Sequence, residues 1–334
     1  MKKKTFKKVI RNIFVFIIAL ILILGIAWMI FYFHRSDPKD YIKYDTSNPH
    51  TYNDAQVCAH RSGAGIMPEE TLMAFKYTIE NKGFEIDYFE FDLHLTKDEQ
   101  IVLLHDDTLG RTSDCLEVFG VEDDEVKNRT LSELKKLNMG AKFVTVNGNT
   151  PYADLKGENV SDDLRIATLD EVLDYITAQG DFNYIIEIKD EGDRGKRVAD
   201  MLYANLKERG ILDNTLVCSF KDEILQYVEA QYPDATRGAG VGETTDFIFA
   251  ALLDKKDYVP TFDAVQLPFA DIKESYGINT GLVKIINYGH SKNISMAYWT
   301  INDTEDMKYL RSIGADIIIS DYPDVLSDVL KEAR

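Results

Sequence analysis

Residues Phe89–Thr112 read FEFDLHLTKDEQIVLLHDDTLGRT, and a short way upstream Ala59–Thr71 read AHRSGAGIMPEET. The run 88–95 has strand character, so alternation sets the side chains of Glu90 and Asp92 on one face. Two carboxylates facing one space repel each other, and burying them uncompensated is costly. A cation between them is the usual relief. Only Thr96–Gln100 separate this run from Ile101–Asp106. A parallel partner needs a crossover of a dozen or more residues, so the two runs must pair as an antiparallel hairpin. The returning arm carries His105 back toward the level of the carboxylates, and His60 ends the strand-like run before them. Two imidazoles flanking a carboxylate-bound cation point to a hydrolytic site.

Working outward from this stretch, short β-branched or aromatic runs alternate with segments of helical period. Strands are expected at 55–61, 88–95, 184–189, 215–220, 236–241, 263–268, 295–301 and 315–320. Helices are expected at Glu69–Asn81, Leu169–Ala178, Gly195–Glu208, Asp222–Gln231, Thr244–Leu253, Thr280–Ser291 and Thr304–Ile313. Eight strands alternating with helices over about 270 residues fit an α/β fold of the (β/α)8 TIM-barrel type. A doubly wound sheet is the alternative, but no Gly-rich dinucleotide fingerprint follows the first strand. Sites of such barrels lie at the C-terminal ends of the strands. There the run YIIEIK puts Glu187 and Lys189 on one face, a third carboxylate with a cation beside it, and Asp321 closes the last strand.

The 334-residue chain holds 38 Lys and Arg against 56 Asp and Glu, a net charge of −18. The charge is unevenly spread: residues 1–34 hold six bases and no acid, which leaves −24 on the rest. So acidic a body argues against gripping DNA or RNA. Cys58, Cys115 and Cys218 are too few and too scattered for a disulfide framework or a zinc site, and Cys58 and Cys218 read as buried small hydrophobes. Ile13–Phe33 is an uncharged run of 21 residues. It is long enough to span the roughly 30 Å of a bilayer's hydrocarbon core as a helix. The basic flank before it sets the N-terminus in the cytoplasm and the bulk of the chain outside. The expected organisation is a basic cytoplasmic tail (1–12), a transmembrane helix (13–33), a linker (34–53) and a barrel domain (54–334) with a rim insertion around 107–183. The chain is thus read as a single-pass cell-membrane protein with an extracytoplasmic barrel. His34, His50 and His290 read as solvated.

The ordered set of motifs resembles the glycerophosphodiester phosphodiesterase family. It comprises His60-Arg61, Pro68-Glu69-Glu70-Thr71, Glu90-x-Asp92, Leu95-Thr96-Lys97-Asp98, His105-Asp106, Glu187-x-Lys189, Ser219-Phe220, Trp299-Thr300-Ile301-Asn302 and Ser320-Asp321-Tyr322-Pro323. The likeness runs from about Val57 to Pro323. It implies a TIM barrel that cleaves glycerophosphodiesters to glycerol 3-phosphate and an alcohol, with one divalent cation, Ca2+ or Mg2+, and a histidine pair. The chain departs from the pattern at Ser62, where glycine is usual, at Glu70, where PEN has Asn, and at His94, where glutamine is usual.

On this reading Glu90, Asp92 and Glu187 are oxygen ligands suited to a hard cation. His60 and His105 supply the acid and the base. Arg61 and Lys189 hold phosphate oxygens, Glu69 supports the phosphate-binding side, and Trp299 walls the substrate's glycerol. The nucleophile is water or the neighbouring glycerol hydroxyl. The expected partners are a glycerophosphodiester, lysolipid or glycerophosphate-polymer substrate, and the bilayer through residues 13–33. Two alternatives stand beside the main reading: phospholipase D-like cleavage of lysophospholipids, and a non-catalytic barrel that binds surface polymer.

Overall fold

The computed structural model of the chain describes residues 12, 14–25, 28, 37–269 and 279–332. Its strands are β1 (Gln56–Ala59), β2 (Tyr88–Leu95), β3 (Ile101–Leu103), β4 (Asn183–Ile188), β5 (Thr215–Cys218), β6 (Ala264–Pro268), β7 (Ser295–Trp299) and β8 (Ile317–Ser320). All but β3 run parallel, in the order β5-β4-β2-β1-β8-β7-β6. The expected strand 236–241 is instead a pair of single bridges, Val217 to Arg237 and Gly238 to Ala264. That segment joins the sheet's two edges, so the barrel closes through it. Gly238 and Gly240 give it no side chain to pack in a pleat, which weakens a regular strand. β3 pairs antiparallel with β2, Leu95 opposite Ile101, so the hairpin required by the short connection is present.

Alternation along β2 sorts its two faces. Phe89, Phe91 and Leu93 pack outward under the helices, with Phe75 against both phenylalanines at 5.5 and 5.7 Å between ring centres. Each such side chain contributes about 1.5–3 kcal/mol by leaving water. Tyr88 points into the barrel with Cys58, Ile185, Leu216, Cys218 and Ile319, so the reading of Cys58 and Cys218 as interior hydrophobes holds. Glu90 and Asp92 share the face of Tyr88 and sit above it, toward the C-terminal end.

Helices α1 (Leu72–Glu80), α2 (Leu169–Gln179), α3 (Gly192–Arg209), α4 (Asp222–Gln231), α5 (Val241–Leu252), α6 (Val283–Ser291), α7 (Thr304–Ser312) and α8 (Pro323–Glu332) surround the barrel. α1 starts at Leu72, not Glu69, because the Thr71 hydroxyl accepts from the Ala74 N–H and caps it. Glu69 is left in the preceding loop, free to turn into the site. α8 has no counterpart among the sequence-predicted helices, although Pro323 suits a first helical position. The rim insertion carries its own small core, in which Leu109, Cys115, Leu134, Leu137 and Met139 pack on Val102 and Leu104.

Among the described residues no helix is long and apolar enough to cross a membrane. Residues 14–25 are helical, with Phe14, Phe16, Ile21 and Leu24 among the exposed apolar side chains. Except for Trp28, the rest of the expected 13–33 span lies outside the described residues, as do nearly all of the tail 1–12 and His34.

Residues 37–53 are not a free linker. They form a strap across the N-terminal end of the barrel, held by polar contacts to residues more than 200 positions away. The Ile42 N–H donates to Asn287 Oδ1 at 2.8 Å, the Ser47 N–H to Asn293 Oδ1 at 2.8 Å and the Tyr52 N–H to Asp316 Oδ1 at 2.8 Å. His50 and His290, read as solvated, are 1% and 4% exposed. The Tyr41 hydroxyl meets His290 Nδ1 at 3.1 Å, and His290 Nε2–H donates to Asp316 at 2.7 Å. His50 bonds the Tyr88 hydroxyl at 2.8 Å and Thr236 at 3.3 Å.

Burial pushes the His50 pKa down to about 4. The unfolded chain therefore binds a proton at this residue, near pH 6.5, before the folded one does. The His50 contribution is fully present above pH 6.5 and is lost as the pH falls toward 4, by about 3 kcal/mol. Urea unfolding of wild type and His50→Gln across that window checks this: the wild type should lose stability more steeply. Equal slopes would rule the assignment out.

Candidate active site

The site lies at the C-terminal ends of β1, β2, β4, β7 and β8. His60, Arg61, Glu90, Asp92, His105, Glu187, Phe220, Gln266 and Trp299 line one cavity of about 80 Å3. The β2–β4 register sets Asp92 directly beside Glu187. Glu90, Asp92 and Glu187 each offer an oxygen within 4.8 Å of the others. Lys189 Nζ lies 3.0 Å from Glu187 and 3.4 Å from Asp92. The Arg61 N–H donates to Glu90 Oε2 at 2.9 Å, and its guanidinium reaches Glu69 at 3.2 Å and Asp92 at 3.8 Å. All nine residues singled out in the sequence thus converge.

Both imidazoles are anchored through Nδ1. His60 donates to Asp321 Oδ1 at 2.6 Å and His105 to Asp106 Oδ1 at 2.7 Å. That fixes each ring; His60 Nε2 faces Glu90 at 3.8 Å. Asp321 is steadied by Asn302 at 2.7 Å. Arg111 reaches from the excursion after β3 to bind Asp106 at 2.6 Å and both oxygens of Glu69 at 2.7 and 2.8 Å. It therefore ties the partner of His105 to the partner of Arg61.

The charges of the site are only partly balanced. Asp92 is 1% exposed, yet neither carboxylate oxygen has a hydrogen-bond donor among the described residues. Burial would raise its pKa, but Lys189, His105 and Arg61 outweigh that and hold it below the usual range. Burial and the Asp92 charge push Glu90 up to about 7 and Glu187 up to about 8. A raised proton affinity on two of three converging carboxylates marks negative charge that Arg61 and Lys189 leave unneutralised. An all-oxygen donor set with surplus negative charge fits a hard divalent cation. Burial opposes the charged form of His60, but Glu90 and Asp321 outweigh it and raise its pKa. At His105 burial prevails over Asp92 and Asp106 and lowers it.

The sequence pattern of the Glycerophosphoryl diester phosphodiesterase family matches residues 60–325. The chain belongs to that family. It is 30% identical over 278 residues to the glycerophosphodiester phosphodiesterase of Caldanaerobacter subterraneus subsp. tengcongensis, covering 83% of this chain and 98% of that one. The Bacillus subtilis glycerophosphodiester phosphodiesterase is 27% identical over 285 residues, covering 82% and 85%. An Oleispira antarctica phosphodiesterase, solved with its product sn-glycerol-3-phosphate, shares the fold with a TM-score of 0.60 at 22% identity, covering 83% of this chain and 97% of that one.

Three departures from the glycerophosphodiester phosphodiesterase pattern now have positions. Ser62, where glycine is usual, keeps the left-handed backbone at φ 61°, which costs a non-glycine residue about 1–2 kcal/mol. Its hydroxyl donates to the Arg61 carbonyl at 2.6 Å. Glu70 is buried, at φ 56°, and Oε1 accepts from the Asp92 N–H at 2.7 Å. Burial and the neighbouring Asp92 raise its pKa well above the usual range. His94 faces a separate polar cavity with Asp107, Lys127, Asp190 and Lys221, 3.5 Å from Asp190.

Sequence reasoning passed over Arg111, Asp106 and Gln266 as site residues. Gln266 had a usable signal, being a polar residue inside the apolar run AVQLP, the same mark that exposed Glu187.

Proposed function

We propose that this chain hydrolyses glycerophosphodiesters to glycerol 3-phosphate and an alcohol, using one divalent cation, Ca2+ or Mg2+, held by Glu90, Asp92 and Glu187. Membership of the family makes it a phosphoric diester hydrolase. The observation that carries the finer reading is the convergence of three carboxylates within 4.8 Å on a cavity that also takes two carboxylate-anchored imidazoles. When bound, the cation polarises a phosphate oxygen and offsets the charge that builds during attack.

The chain's own residues do the rest. Arg61 and Lys189 fix phosphate oxygens, and Glu69 orients Arg61. Trp299 walls the glycerol. His60 and His105 divide the proton transfers, one relieving the nucleophile of its proton and the other protonating the leaving alcohol. Direct attack by water and attack by the adjacent glycerol hydroxyl use the same pair.

Residues 13–33 are read as a bilayer anchor, with the N-terminus cytoplasmic and the barrel extracytoplasmic. The uncharged run, the basic flank before it and the exposed apolar side chains of residues 14–25 support this. Such a tether brings lysolipids and glycerophosphate polymers within reach. The full chain in detergent should release glycerol 3-phosphate from glycerophosphocholine, glycerophosphoethanolamine or glycerophosphoglycerol when Ca2+ or Mg2+ is present. Release from none of the three, with either ion, would leave the non-catalytic polymer-binding barrel in its place.

A further inference from the structure

The strap that crosses the N-terminal end of the barrel begins at the other, catalytic end. There the Asp37 carboxylate accepts the Val283 N–H at 3.2 Å and the Lys284 N–H at 2.9 Å, two of the donors that the start of α6 leaves open. This helix end belongs to the rim that bears the site. Just before it, Thr280 donates to the carbonyl of Pro268, the last residue of β6, at 2.5 Å, and it lines a cavity together with Trp299 and Glu187. From Asp37 the strap follows α6 downward. Ile42 is held by Asn287, and the Tyr41 hydroxyl meets His290 in the last turn. His290 in turn binds Asp316, the residue before β8, at the N-terminal end.

We infer that the catalytic rim is a membrane-docking surface: a short tether holds the mouth of the barrel against the bilayer, and the catalytic cavity opens toward the lipid–water interface. The inference rests on the reading of residues 13–33 as a bilayer anchor and adds the direction in which the barrel faces. Only residues 34–36 stand between that run and Asp37. Four residue steps reach at most about 14 Å. The head-group layer takes about 6 Å of this, which leaves roughly 8 Å beyond it. With the N-terminal end toward the membrane, the nine residues of α6 would stand between Asp37 and the lipid, about 13 Å of helix, with Tyr41 packed beneath it. The tether is too short for that. With the mouth toward the membrane, Asp37 is the near point and the tether suffices.

The same rim carries side chains that lipid rewards. The insertion after β3 presents Val121, Val144 and Val146, which are 50%, 55% and 76% exposed. It sits at the catalytic end, where Arg111 binds Glu69 and the Tyr152 hydroxyl meets Met67 Sδ at 3.8 Å. Val144 and Val146 flank Thr145, whose N–H and carbonyl close a turn on Asn149 and Gly148 at 2.8 Å each. In the strand order β2, which leads into the insertion, lies four places from β6, which leads into α6. The tether and the exposed valines therefore stand on opposite sides of the mouth, and a barrel facing the bilayer rests on both. Glu122 and Asp123 beside Val121 are acidic, so apolar contact and the tether, not attraction to anionic lipid, hold the rim in place.

The test places a fluorophore on the full chain in phosphatidylcholine vesicles, through Val146→Cys at the rim or Val259→Cys at the opposite end. Val259 is 81% exposed in the loop before β6, near the end of α6, where Lys292 Nζ donates to the Lys256 carbonyl at 2.8 Å. Cys58, Cys115 and Cys218 are buried and stay unlabelled. A nitroxide on the lipid head groups should quench the label at 146 severalfold more than the label at 259. Val144→Cys repeats the rim measurement should Val146→Cys misfold. In a chain that floats with the vesicles, the reverse order, equal quenching at both positions or quenching at neither would overturn the docking surface and leave the anchor standing. A chain that stays behind when the vesicles float would overturn the anchor reading and the inference together.

Discussion

His60→Ala and His105→Ala should each lower kcat for glycerophosphodiester hydrolysis by about 10²–10⁴-fold. Each ring is held through Nδ1 by its own carboxylate, Asp321 or Asp106, so the opposite nitrogen is the one free to exchange a proton. Neither carboxylate loses its other support when the ring is removed: Asn302 still binds Asp321, and Arg111 still binds Asp106. The loss should therefore appear in turnover, with circular dichroism and cation binding unchanged. On the proposed division of proton transfers between the two rings, the double variant should fall little below the worse single one. Turnover unaltered in both single variants would remove the histidine pair from the mechanism.

The second large effect is expected at Asp92. It converges with the other two carboxylates and faces Lys189 and Arg61, with no hydrogen-bond donor among the described residues. Asp92→Asn keeps the shape and removes one of the three converging carboxylate charges. The transition-state stabilisation a cation supplies is worth several kcal/mol, so the variant should lose about 10³-fold in kcat/KM. Chelation of the wild type with EDTA should give a comparable loss, restored by Ca2+ or Mg2+. Full activity of Asp92→Asn, or wild-type activity indifferent to EDTA, would take the cation out of the account.

Much of this was legible in the sequence because two periods carry it. The two-residue period of β2 sorts Glu90 and Asp92 inward from Phe89 and Phe91 outward, and the same period in β4 turns Glu187 into the barrel. The short Thr96–Gln100 connection forced the hairpin that brings His105 to the site. What stayed hidden depends on partners distant in sequence. Nothing local in 37–53 announces a strap, since Asn287, Asn293 and Asp316 hold it; for the same reason His50 and His290 read as solvated. The closing segment at Arg237–Gly238 lacks β-branched residues and pairs through single bridges. Arg111 sits in a turn-like stretch, and its role exists only because Asp106 and Glu69 meet there. The helix expected from Glu69 starts instead at Leu72, because Thr71 is its cap and Glu69 stays in the loop before it.

The central claim is that Glu90, Asp92 and Glu187 hold one divalent ion beside the two imidazoles. Equilibrium dialysis with radioactive Ca2+ measures this without reference to catalysis. The wild type should bind one saturable ion per chain, and His60→Ala and His105→Ala should bind it equally. Asp92→Asn and Glu187→Gln should weaken it by about tenfold or more. No saturable binding by the wild type, or binding left intact in both carboxylate variants, would contradict the claim.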